Sequence, residues 1–303
     1  MITAVALAGY AALVGIVVPY FLARAGWTHR APAVAVLAWQ GLMVTFVVSA
    51  ALAVYHIVLA EQHVHDGLVG LLSACGLASD ALPVASEPTL FDVAALLVPA
   101  AIVLLPAGWL LRTFWIARRE RRLHLDMLRL VGRPSPEYGA TIVEHAVPAV
   151  YCLPGRARRT VVTQGALDAL TEEQLRAVLE HEQAHIVGRH HLLQAAVKAF
   201  ARAFPKLPLA RHAKEQTALL LEMIADDRAL RYHSRDALAT AMCEVAAGRA
   251  PQPALGAGGP SALIRLRRVL TPHPKPHRAT WLGLVLASVG APLLPLLVAC
   301  GPV

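Results

Sequence analysis

Four stretches of the chain carry no Asp, Glu, Lys or Arg: 2–23, 33–60, 93–111 and 279–303. About 20 apolar residues in a helix cross the hydrocarbon core of a bilayer, so the pattern predicts four membrane-spanning helices. Pro99 and Pro106 fall inside the third run, where a membrane helix tolerates them as kinks. The first run lacks the basic segment that opens a cleaved signal peptide; its first charge, Arg24, comes after the apolar residues. Between the third and fourth runs lies a polar block, 112–278.

Charge is distributed unevenly around these runs. Arg24 and Arg30 separate the first two, and Arg112, Arg118, Arg119, Arg121 and Arg122 follow the third. Lys275 and Arg278 precede the fourth. The loop 61–92 has Glu61, Asp66, Asp80, Glu87 and Asp92 and no Lys or Arg. Basic loops stay on the cytoplasmic side. The expected protein is therefore a multi-pass protein of the cell membrane, with both termini outside and 112–278 in the cytosol. Three units follow: a membrane domain over 1–111, a cytosolic domain over 112–278, and a fourth span over 279–303.

Composition supports this division. Hydrophobic residues make up 56% of the 303, charged residues 16%, and mean hydropathy is +0.52, unlike an ordinary soluble domain. The net charge of +8 belongs to the membrane boundaries rather than to a nucleic-acid surface, and no direct nucleic-acid binding is expected. Cys75, Cys152, Cys243 and Cys300 show no C-x-x-C spacing. In the cytosol Cys152 and Cys243 should remain thiols, while a bridge between Cys75 and Cys300 is open on the outer side.

The polar block reads as α+β. Residues 116–132 form a basic amphipathic helix, and 132–138, with Pro134 and Pro136, a linker. Thr141–Val143, Ala149–Leu153 and Arg159–Thr163 read as short strands. Thr171–His191 reads as a helix, with Thr171 and Gln174 spaced as a capping box. Leu193, Val197, Phe200 and Phe204 mark one face of a further helix, packed on a core or lying on a membrane surface. Ala213–His233 is another helix, 248–260 a loop rich in Gly, Ala and Pro, and Ser261–Leu270 a short basic helix.

The chemistry concentrates in the Thr171–His191 helix, at His181-Glu182-Gln183-Ala184-His185. Residues four apart share a helix face, so both imidazoles can address one cation. This is the H-E-x-x-H pattern of zinc proteases, in which the Glu is the general base. The bland alternative is two unrelated histidines, in a chain that has 14.

A third ligand separates the two readings, and two candidates exist. His191 completes H-E-x-x-H-x-x-G-x-x-H with Gly188, but neither Met223 nor Met242 lies in a convincing Met-turn. Glu222, followed at i+4 by Asp226, comes after three leucines, where burial is expected and an unpaired carboxylate is costly. Glu222 is favoured as ligand, completing a His2Glu zinc site. Asp226 would then accept a hydrogen bond from a ligand imidazole. For an oxyanion donor the candidates are His233, Arg228 and Tyr232.

Three spans, a cytosolic H-E-x-x-H domain and a fourth span together resemble the BlaR/MecR-type membrane metallopeptidases. Residues 176–192 with Glu222–Asp226 carry the likeness, supported by 151–163. The Glu222/Ala225-Asp226 pattern is also similar to the HtpX and CAAX-prenyl endopeptidase group, a wider gluzincin kinship. The resemblance implies Zn2+ on His181, His185 and Glu222, with Glu182 as base. It implies a mainly α fold: four transmembrane helices plus a cytosolic α+β gluzincin domain with a small sheet. It further implies a cytosolic protein substrate, such as a winged-helix repressor of the BlaI/MecI type. The extracellular penicillin-binding domain of antibiotic sensors does not follow the last span in this sequence, so β-lactam sensing is not expected. The alternatives are an HtpX-like quality-control protease or a non-catalytic membrane scaffold.

Overall fold

The computed structural model describes residues 2–58, 90–153, 159–249, 259–271 and 277–300. Most of the 61–92 loop, Cys75, the turn at Pro154-Gly155 and much of 248–260 lie outside them. Helix α1 (Ile2–Arg24) carries a π-helical turn at Leu13–Val17, and α2 is Pro32–Val58. Helix α3 (Leu90–Val131) leads to strands β1 (Gly132–Ser135), β2 (Ala140–Val143), β3 (Val150–Leu153) and β4 (Arg159–Thr163). Helices α4 (Gln164–Ala169), α5 (Glu172–Val187), α6 (His190–Ala203), α7 (Pro208–Ala229), α8 (Arg235–Arg249) and α9 (Gly259–Leu270) follow. The chain closes with α10 (Arg278–Gly290), a 3₁₀ turn and α11 (Leu294–Cys300).

Four helical segments are long and apolar enough to cross a membrane: Ile2–Arg24, Pro32–Ile57, Leu97–Val131 and Arg278–Ala299. Large apolar side chains on them, such as Leu104, Leu111 and Leu286, are exposed. The third segment does not stop where its apolar run ends. Helix α3 is 42 residues long in all, about 63 Å at 1.5 Å per residue, so the arginines at 112–122 lie on the same continuous helix. The basic helix expected at 116–132 is its later part.

The sheet has four strands, one more than the periodicity predicts. The expected linker at 132–138 holds β1, which pairs antiparallel with β2 through Arg133–Ile142 and Pro134–Thr141. Pro134 is tolerated because β1 is an edge. Strand order is β1-β2-β4-β3, with β2 and β4 parallel and β3 the other edge.

Helix α5 starts where its capping box predicts. Thr171 Oγ1 accepts from the Gln174 amide, and Gln174 Oε1 accepts from the Thr171 amide at 2.9 Å. It ends earlier than expected, at Val187. Arg189 adopts left-handed backbone (φ +50°), so α5 and α6 are separate helices rather than one running to His191. Similarly, the helix expected at 213–233 runs from Pro208, whose missing N–H is harmless in the first turn, to Ala229.

The principal core joins the N-terminal hairpin to the helices behind the motif. Trp39 and Val36 of α2 and Val14 of α1 are buried with Val197 and Phe200 of α6 and Leu220, Leu221 and Met223 of α7. Phe46 meets Phe200 and Phe204 edge-on, with ring centroids 6.0 and 5.3 Å apart. Gly15 permits this approach: a Cβ there would lie 2.9 Å from the Phe46 ring and 3.1 Å from Leu207. The apolar face of α6, ambiguous in the sequence, thus packs on the α1–α2 pair. Arg268 of α9 adds a polar tie, binding both oxygens of Asp227 at 2.7 and 2.8 Å and donating to the His29 carbonyl.

Candidate metal centre

Helix α5 presents His181 and His185, and α7 brings Glu222 opposite them. His181 Nε2 is 3.5 Å from Glu222 Oε2, and His185 Nε2 is 3.4 Å from Glu222 Oε1. The two Nε2 atoms are 3.3 Å apart. Among the described residues, these three form the group whose donor atoms converge, all within 4.8 Å of one another. Two imidazole nitrogens and a carboxylate facing one point is a donor set that zinc accepts.

The backs of both imidazoles are held. His181 Nδ1 lies 3.0 Å from Asp226 Oδ1, one helical turn beyond Glu222. A proton on Nδ1 toward Asp226 leaves the Nε2 lone pair facing the site. His185 Nδ1 lies 2.8 Å from His190 Nδ1. His190 is 3% exposed. Burial and the neighbouring His185 push its pKa down to about 4, so it is neutral and can accept from His185. That contact depends on Gly188, where a Cβ would come within 2.4 Å of the His190 ring.

Electrostatics favour a cation. Burial opposes charge on Glu222, but His181 and Arg265 hold its pKa down at about 2. Burial likewise opposes charge on Asp226, which Arg265 and His181 hold at about 2. Burial also opposes charge on His181, yet Asp226 and Glu222 carry its pKa up to about 9. His185 moves down because of its burial. The site is thus two fixed negative charges around imidazoles, with one permanent cation, Arg265, behind.

Arg265 of α9 was not singled out in the sequence. Its Nε and Nη2 bind both Asp226 oxygens at 2.9 and 2.8 Å, and its Nη1 lies 2.7 Å from Glu222 Oε2. One signal was available. Asp226-Asp227 on a buried helix needs cations, and Arg265 and Arg268, three apart on α9, supply them. The H-x-x-G-x-x-H spacing points to His191, yet it is the neighbouring His190 that meets His185. His191 is outside the converging group.

A cavity of about 190 Å³ opens beside the imidazoles. Glu182, His181, Glu222 and Arg265 form its polar wall, and Val150, Val178, Leu238 and Met242 part of its apolar wall. None of the three oxyanion candidates lines it. His233 lines a separate cleft with Glu180 and Gln183, because α5 turns those residues to its other side. Arg228 Nε donates to Glu180 at 2.6 Å, and Tyr232 is 68% exposed.

Comparison with known proteins agrees with this geometry. A protease HtpX homolog of Methanothermobacter thermautotrophicus is 39% identical over 84 residues, covering 26% of this chain and 31% of that one. The alignment thus spans about a third of that relative's length. No solved structure matches. Of the two resemblances seen in the sequence, the match lies on the HtpX side. The model of peptidase family M48, whose members are zinc-dependent in general, matches residues 116–278, more than half of the chain. On that match, and with His181, His185 and Glu222 converging inside the matched region, the chain belongs to peptidase family M48.

Proposed function

We propose that the protein is a membrane-embedded, zinc-dependent endopeptidase of HtpX-like kind, with its centre on the cytoplasmic side. The observation that carries this reading is the convergence of His181, His185 and Glu222 beside a cavity that also holds Glu182. The basic segments at 24–30 and 112–122 support the orientation.

His181, His185 and Glu222 would hold the zinc, and Asp226 and His190 keep the two imidazoles in the tautomer that binds it. When bound, zinc polarises the scissile carbonyl and acidifies a water. Glu182 follows the first ligand and borders the cavity; its carboxylate takes the proton of the attacking water and passes it to the leaving nitrogen. Arg265 anchors Glu222 and Asp226 from behind. Strand β3 is a sheet edge, and its first residue, Val150, lines the same cavity. An extended segment can add to that edge through backbone hydrogen bonds, with one apolar side chain in the pocket made by Val178, Leu238 and Met242. This favours unfolded or extended protein segments as substrates. Cleavage of a winged-helix repressor is not part of this reading, since no feature of the cavity selects one.

The test compares Glu182→Gln and His181→Ala with the wild type in detergent, using zinc content and cleavage of an unfolded protein such as reduced casein. Glu182→Gln should keep zinc and lose at least a hundredfold in cleavage, in line with general-base contributions of roughly 10²–10⁴. His181→Ala should lose both. Undiminished cleavage by Glu182→Gln sinks the assignment of the base.

A further inference from the structure

We propose that Arg112 and Arg202, gathered on the ring of Trp109, form a binding site for the phosphate of an anionic phospholipid in the leaflet that faces the peptidase domain. The inference rests on α3 crossing the bilayer and does not depend on peptidase activity.

The site lies where two structural trends meet. Along α3, the uncharged run ends at Leu111 and Arg112 is its first charge. Trp109, one turn before, stands at the level where tryptophan prefers the membrane interface. Helix α6 reaches the same level from the peptidase domain. Its Arg202 donates to Thr113 Oγ1 at 3.1 Å, and both guanidinium groups lie over the Trp109 ring, 5.1 Å (Arg112) and 5.7 Å (Arg202) from its centroid. Two like charges gathered on one ring repel each other. Among the described residues, neither has a carboxylate partner to offset that cost. Both are exposed and able to receive an anion.

The surroundings select a lipid over another anion. From Gln183 to Lys214 the chain has six basic residues and no acidic one. Lys198, Lys206, Arg211 and Lys214, all exposed, belong to this stretch, on α6, α7 and the turn that joins them. The face of α3 preceding Arg112 is apolar at Leu104, Leu105 and Gly108, a shallow groove of acyl-chain character leading to Trp109 and Arg112. A ligand with a phosphate at one end and hydrocarbon at the other fits both parts. Such a lipid would also bridge α3 to α6, and α6 follows directly on the helix that carries the imidazoles.

The experiment titrates dioctanoyl phosphatidylglycerol into the full-length protein in a neutral detergent and reads binding by microscale thermophoresis. Dioctanoyl phosphatidylcholine and inorganic phosphate serve as the comparison arms. Wild type should bind phosphatidylglycerol, bind phosphatidylcholine at least tenfold more weakly, and show no displacement by equimolar inorganic phosphate. Each arginine near a lipid surface contributes about five-fold in affinity. Arg112→Gln and Arg202→Gln should each weaken binding about five-fold, and the pair about thirty-fold. Arg133→Gln, whose guanidinium sits on β1 beyond the end of α3 and pairs with Glu144, should leave it unchanged. If the double variant does not fold by circular dichroism, the single variants carry the comparison. Unaltered affinity in the folded arginine variants overturns the proposal. So does equal binding of phosphatidylcholine, or full displacement by inorganic phosphate.

Discussion

Replacing Arg265 by alanine should destabilise the protein more than any other single change on the surface of this site. Asp226 is 1% exposed and the Arg265 side chain 17%, so the pair is largely out of water. The guanidinium makes two hydrogen bonds to Asp226 and a third contact to Glu222. Deleting it leaves Asp226 buried with only His181 beside it, and leaves Glu222 without a permanent counter-charge. Removing one partner of a buried pair costs about 3–5 kcal/mol. Glu222 is one-third exposed and recovers part of its loss from water, which places the expected cost near the lower bound, about 3 kcal/mol. Against a typical stability of about 5–15 kcal/mol this is large. The assay is urea unfolding in detergent micelles followed by circular dichroism, run as a double-mutant cycle with Asp226→Asn. In the Asp226→Asn background no buried aspartate is stranded, so Arg265→Ala should cost only about 1 kcal/mol, a net hydrogen-bond contribution. Arg265→Lys should restore less than half of the loss, because an ammonium cannot make the paired contact. The reasoning fails if Arg265→Ala costs under about 0.5 kcal/mol, or if its cost is the same in both backgrounds.

Two further expectations come from neighbouring groups. Burial, assisted by the charge of Glu182 and partly offset by a hydrogen bond with Thr160, pushes the Cys152 thiol up to about 11. Since the thiolate is the nucleophile, maleimide at pH 7.5 should label the exposed Cys243 in the folded protein and reach Cys152 only after unfolding. Peptide mass spectrometry reads the two sites separately, and equal rates would contradict the burial argument. His190→Ala removes the partner of His185 Nδ1 and should lower zinc affinity roughly 10–100-fold, the usual effect of losing such a contact. A competition titration against a chelator measures it, and unchanged affinity would deny His190 any part in orienting His185.

The local patterns in the chain carried much of the architecture. Uncharged runs announced the four long apolar helices, since length and hydropathy are sums over neighbours. The capping box at Thr171 placed the start of α5, and the i, i+4 spacings put His181 with His185 and Glu222 with Asp226, because a helix repeats every 3.6 residues. Each of these features is decided within a few residues of itself. The approach of Glu222 to the imidazoles was open to argument from the sequence, because a carboxylate after three leucines needs a cation.

What depended on distant segments was legible only in three dimensions. Strand β1 reads as a linker because Gly132, Pro134 and Ser135 have no strand propensity; its pairing with β2 makes it a strand. The break at Gly188-Arg189 comes from a left-handed residue that periodicity does not register, and it is what turns His190 onto His185. His233 is near Glu222 in sequence yet belongs to another cleft, because the face of α5 decides which side chains meet. Arg265 lies 39 residues beyond Asp226, and α1–α2 precede the motif by more than a hundred residues, yet both complete its surroundings. Contacts at such separations are selected by whole-core packing and by the pairing of buried charge, which no window of sequence contains.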